Sequence, residues 1–76
     1  MTKEQVYAAK EMYKHCIIAN AKLINLSFSK DEDLSSIVSG IMKKTKSDEI
    51  IKTTLKYYRY YVEMSLRIRK EIWNND

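Results

Sequence analysis

DEIIKTTLKYYRYYVEMSLRIRKEIW, Asp48 to Trp73, is the longest run of the chain with a single period. It carries four of the six tyrosines, the only tryptophan and six of the fourteen Lys and Arg. Set Tyr57 at zero on a helical wheel of about 100° per residue. Ile50, Ile51, Thr54, Leu55, Tyr58, Tyr61, Val62, Leu66, Ile68, Ile72 and Trp73 then fall within a sector of about 160°. Met64 lies just outside its edge. The pattern predicts a helix of about seven turns over residues 48–73. A surface helix packed on one neighbour needs an apolar stripe of about 100°. The wider arc implies cover from two directions. Tyr57, Tyr58, Tyr61, Val62, Leu66, Ile72 and Trp73 are the candidates for a self-association or partner interface.

The opposite side of the same run is basic. Lys52, Lys56, Arg59, Arg67 and Lys70 form a stripe interrupted by Glu49 and Glu63. Such a face is either solvated or a docking site for an acidic groove or a phosphate backbone. Tyr57-Tyr58-Arg59-Tyr60-Tyr61 interleaves aromatic and basic side chains, as single-strand binders do when they stack bases and hold phosphates. Helical geometry separates them: Tyr57, Tyr58 and Tyr61 fall on the apolar side, with their hydroxyls at a wet rim. Tyr60 turns towards the cations and joins the candidate basic stripe. Arg69 falls inside the apolar sector, where it either snorkels or meets an acid on a partner.

Seventy-six residues make one domain, near the size at which a single core is marginal. Cys16 is the only cysteine, so no intrachain disulfide assists. Zero Pro and one Gly leave few tight turns and argue against an all-β fold. The net charge of +4 suits solubility and acidic partners without diagnosing a nucleic-acid binder. No signal-peptide core or transmembrane run is visible, and with a lone cysteine the expected compartment is the cytoplasm.

Before the long run, two further helices are expected. Residues 3–26 repeat Ala8, Met12, Cys16, Ala19 and Leu23 at heptad-like spacing, and Val6, Tyr13, Ile17 and Ile24 widen the same face. Tyr7 and Ile18 fall on its polar side. His15 and Cys16 point about 100° apart and cannot form a nucleophilic pair, and no second His or Cys supports zinc. Residues 31–44 carry a narrow stripe of Leu34, Ile37, Val38, Ile41 and Met42. Ser29 and Glu32 have capping-box spacing before it, Asp31 to Asp33 suit its first turn, and Gly40 falls on its polar side. Thr45 or Ser47 caps the long helix.

Leu23 to Ser29 is ambiguous, because Ile24, Leu26 and Phe28 alternate with Asn25, Ser27 and Ser29 as a strand would. Read that way, Ile24-Asn25-Leu26-Ser27-Phe28 followed by two helices, the second opening Lys46-Ser47-Asp48-Glu49, resembles the ribbon-helix-helix family over Lys22 to Tyr58. The resemblance implies a DNA-binding repressor in which Asn25 and Ser27 read bases and Lys46 and Ser47 lie near phosphate. No basic residue occupies an outward strand position, and a long helix precedes the would-be strand. The strand is therefore the alternative, and a helix end with a break near Ser27 to Ser29 is the first reading.

The expectation is an all-α, long-short-long bundle whose half-length middle helix leaves apolar surface open, completed by a homodimer or by another protein with an acidic or apolar groove. A non-catalytic regulator, adaptor or inhibitor fits best. No paired carboxylates, Ser-His-Asp set or phosphate loop suggests an enzyme or a cofactor. Membrane-surface binding is not expected, and nucleic acid, at the basic stripe or with the repressor alternative, is the less favoured partner.

Overall fold

The computed structural model describes residues 2–74, with side chains for residues 2–70. Its described residues form three α-helices and no strand: α1, Lys3–Leu23; α2, Leu34–Lys44; and α3, Asp48–Asn74. Their lengths of 21, 11 and 27 residues give the long-short-long order expected.

α1 begins at a full capping box. Thr2 Oγ1 accepts from the Gln5 amide at 3.2 Å, and Gln5 Oε1 accepts from the Thr2 amide at 2.8 Å. Two of the orphan donors of the helix start are thereby satisfied. The helix ends at Leu23, three residues short of the expected 26. Asn25 takes a left-handed backbone conformation, φ 57°. The Asn25 amide donates to Lys22 O, and the Leu26 amide donates to Ala21 O. These two bonds define a Schellman stop, with Asn in the position usually held by Gly. Lys44 Nζ closes the turn from outside by donating to Asn25 O at 2.7 Å.

The strand alternative is therefore not formed. Residues 24–25 are a turn and residues 26–29 are irregular. Ile24, Leu26 and Phe28 pack against the core while Asn25, Ser27 and Ser29 are exposed, so the alternation marks a turn and irregular segment with one buried side.

α2 starts at Leu34, three residues later than expected. Ser29 and Glu32 do pair, Ser29 N–H donating to Glu32 Oε1 at 3.4 Å and Glu32 N–H to Ser29 O at 3.2 Å. They close a local turn ahead of the helix, so Asp31 and Glu32 precede it, and Asp33 is the N-cap without a side-chain bond. The apolar stripe is as expected: Ile37, Val38 and Ile41 are buried, and Leu34 and Met42 pack beside them. Gly40 is not on an open polar side. A Cβ there would stand 3.1 Å from Leu26 Cδ2, so its missing side chain admits the loop that follows α1.

Ser47 caps α3, its hydroxyl accepting from the Ile50 amide at 3.4 Å. Thr45 Oγ1 accepts instead from the Ser47 amide, at 3.1 Å. α1 and α3 run antiparallel. Val6 near the start of α1 packs against Met64 and Ile68, and Asn20 near its end bonds to Thr53 and Thr54. α2 lies across only one end of this pair, where Ile17 and Ala21 meet Ile37, Val38 and Ile41, with Ile50, Tyr57 and Tyr58 alongside. The other end, around Val6, Met64 and Ile68, is a two-helix contact.

The inward side of α1 is narrower than its sequence suggested. Val6, Ile17 and Ala21 are buried, with Tyr13 and Ile24 packed beside buried residues. The heptad-like row faces out: Met12 is 53% and Leu23 71% exposed, Ala8 and Ala19 are exposed, and Cys16 is half-buried. The physical reason is the antiparallel seam: Val6, Tyr13, Ile17 and Ala21 share one side of the helix and fill it, which turns the row of Ala8, Met12, Ala19 and Leu23 away. His15 is exposed and Ile18 half-buried.

Candidate functional site

The seam between α1 and α3 is aromatic and polar in sequence along its length. Tyr13 stacks on Tyr57 with centroids 6.2 Å apart and meets Tyr60 at 5.2 Å, while Tyr58 stacks on Tyr61 at 6.4 Å. Lys10 places its ammonium 5.4 Å from the Tyr61 centroid, within cation–π range. One turn beyond Tyr57, Thr54 is fully buried, and the Asn20 amide nitrogen donates to its hydroxyl at 2.9 Å and to that of Thr53 at 3.0 Å. Thr53 in turn donates to Glu49 O at 2.9 Å. These groups hold the two long helices in register and fix which side of α3 faces out.

That register leaves part of the wide apolar arc uncovered. Thr54, Met64 and Ile68 point inward, so the buried centre sits nearer Met64 than the middle of the sequence arc. The other edge of the arc is open: Leu55 is 50%, Val62 37% and Leu66 55% exposed, with Ile51 and Tyr58 half-buried beside them. On the helical wheel Ile51, Leu55, Tyr58, Val62 and Leu66 occupy about 80° of the helix surface. The cations Lys52, Arg59 and Lys70 flank this row directly, and Arg69 lies within it; all four are exposed.

Two shallow depressions mark the same face. One is lined by Lys52, Leu55, Lys56, Arg59 and Tyr60, the other by Glu63, Leu66, Arg67, Arg69 and Lys70. Each has a leucine as its apolar element and at least three cations around it. Leu55 and Leu66 are three helical turns apart, about 16 Å along the axis.

Of the residues expected at an interface, Val62 and Leu66 are exposed, whereas Tyr57, Tyr58 and Tyr61 are half-buried in contacts with their own chain. Ile72 and Trp73 lie outside the residues whose side chains are described. All of the expected basic stripe, Lys52, Lys56, Arg59, Arg67 and Lys70, is exposed on α3, and Tyr60 stands at its edge with its ring against Tyr13. Asn25 and Ser27 are exposed in the loop, and Lys46 and Ser47 in the connection before α3, with no strand to carry them. Leu55, which lines a depression with Tyr60 and the cations, was visible only as one member of the apolar arc. Its proximity to Lys52, Lys56 and Arg59 follows from its place at the arc's edge. No helix among the described residues is long and apolar enough to cross a membrane. No family model, curated protein or solved structure matches the chain.

Proposed function

We propose that this protein is a non-catalytic interaction module, a small helical regulator, adaptor or inhibitor that works by presenting the outward face of α3 to another protein surface. The observation that carries the reading is the open row Leu55, Val62 and Leu66 on a helix whose inner side is already occupied. Scattered exposed apolar side chains are ordinary, but a row along a single helix, flanked on one side by cations, is the form of a docking face. A second copy of the chain and a different protein are the two occupants this reading admits.

The experiment compares the wild-type chain with a Val62→Asp, Leu66→Asp double variant. Both sites are exposed, so circular dichroism and melting temperature stay close to wild type. The sedimentation mass and the proteins retained on an affinity column are then measured. The reading expects wild type either to exceed the monomer mass or to hold a partner in stoichiometric amount, and the variant to lose that property. Identical mass and identical retention for the two proteins would overturn it.

A further inference from the structure

We propose that the occupant of the α3 face is an acidic amphipathic helix of another protein, its apolar side chains lying over Leu55, Val62 and Leu66 and its carboxylates meeting Lys52, Arg59 and Lys70. The proposal rests on the interaction-module reading and names its partner class. Two features of the face select this occupant.

The first is spacing. Ile51, Leu55, Tyr58 and Val62 follow one another by four, three and four residues, which is the alternation of an apolar seam between two helices. A flat or irregular partner surface has no need of that alternation. The seam is open at Leu55 and Val62, and Leu66 extends it by a further turn.

The second is charge. Lys52, Arg59 and Lys70 line one flank of the row with Lys56 behind them, Arg69 lies within the row, and Glu63 is the acid on that flank. A second copy of this chain is a poor fit for such a rim. Antiparallel pairing about the middle of the row sets the flank with Lys52, Arg59 and Lys70 against the same flank of the other copy, with Glu63 its one acid, and brings Lys52 of each copy near Arg69 and Lys70 of the other; parallel pairing sets that flank against Tyr61 and Ser65 of the other copy, which offer no acid. Like charges placed in register oppose association. A partner with Glu or Asp beside its own apolar row turns the same positions into complementary ones. A phosphate backbone would satisfy the cations and leave Leu55, Val62 and Leu66 facing a charged surface. An anionic bilayer favours a broad apolar face sunk into the interface, and the open row spans only about 80° of the helix.

The test uses three designed helical peptides, each labelled for fluorescence anisotropy and titrated with the full chain. One carries Leu at the seam positions and Glu at the flanks. The second has Lys in place of Glu, and the third keeps Glu but has Ser in place of Leu. The Leu/Glu peptide is expected to bind, and each of the others to bind at least about tenfold more weakly. Val62→Asp with Leu66→Asp should weaken the first peptide by about tenfold or more. Lys52→Glu with Arg59→Glu should weaken it similarly and strengthen the Leu/Lys peptide, a reversal that a merely sticky surface does not produce. Equal binding of the three peptides overturns the proposal, as does tighter binding to duplex DNA or to phosphatidylserine vesicles than to the Leu/Glu peptide. If no peptide binds but the chain sediments as a dimer that Val62→Asp with Leu66→Asp dissolves, the acidic partner is rejected while the interaction module stands. A monomer that binds nothing rejects both.

Discussion

Asn20 donates from one side-chain nitrogen to two threonine hydroxyls across the α1–α3 seam, and one of them, Thr54, is fully buried. Removing the donor strands a buried oxygen, which costs more than the net value of the bond. Asn20→Ala is therefore expected to lose about 1–3 kcal/mol of stability. Thr54→Val in that background should recover part of the loss, because the orphaned hydroxyl goes with it. Urea denaturation of the wild type, both single variants and the double variant measures this coupling. Gly40 poses the opposite case. Its added Cβ would meet the Leu26 side chain, Cδ2 at 3.1 Å, a contact that the flexible end of that side chain relieves by shifting a few tenths of an ångström. Ala in a helix interior is favoured over Gly by about 1 kcal/mol. Gly40→Ala should thus be no less stable than wild type in a thermal melt, whereas Gly40→Leu, with bulk that Leu26 cannot yield to, should melt lower.

At the scale of the helices, the middle and last elements were the most legible. The stripe Leu34, Ile37, Val38, Ile41 and Met42 has one period and one buried side, and the run from Asp48 has no breaker within it. The first helix was less legible because two rows, Ala8-Met12-Ala19-Leu23 and Val6-Tyr13-Ile17-Ile24, have similar spacing and apolarity. Which one turns inward is decided by α3, through the ring contacts of Tyr13 and the Asn20 bonds, and no local pattern contains that choice. The α1 terminus had a readable signal in Asn25, an Asn placed to adopt the left-handed stop. The alternation of Ile24, Leu26 and Phe28 masked it. Because Asn25 sits at φ 57°, Asn25→Gly is expected to be tolerated and Asn25→Val to destabilise by about 1 kcal/mol or more, read from chemical denaturation. At the other end of α1, Thr2→Ala removes half of the capping box and is expected to cost about 1 kcal/mol. The candidate surface followed the same division. The arc was too wide for one neighbour on sequence alone, but which edge stayed open depended on how α1 rotated α3.

The whole molecule measures 45 × 24 × 16 Å, a thin elongated body in which α2 thickens one end only. Burial is accordingly uneven. The end with Ile17, Ala21, Ile37, Val38 and Ile41 has three helices around it, and the end with Val6, Met64 and Ile68 has two. Native-state hydrogen exchange should find amides near Ile17 and Ile41 protected to the level of global unfolding and those near Val6 and Ile68 opening at lower free energy. Uniform protection along α1 and α3 would contradict this division. The antiparallel seam also has a kinetic consequence. Joining Asn20 to Thr54 closes a loop that already contains α2, while joining Val6 to Ile68 directly closes one nearly twice as long. Loop entropy grows with the length closed, so the shorter closure comes first and the remaining turns then zip outward along a track already in place. The chain ends are thus expected to be the last parts to engage on refolding and the first to part. Substitutions at Ile17 or Ile41 would slow refolding, and those at Val6 or Met64 would mainly hasten unfolding.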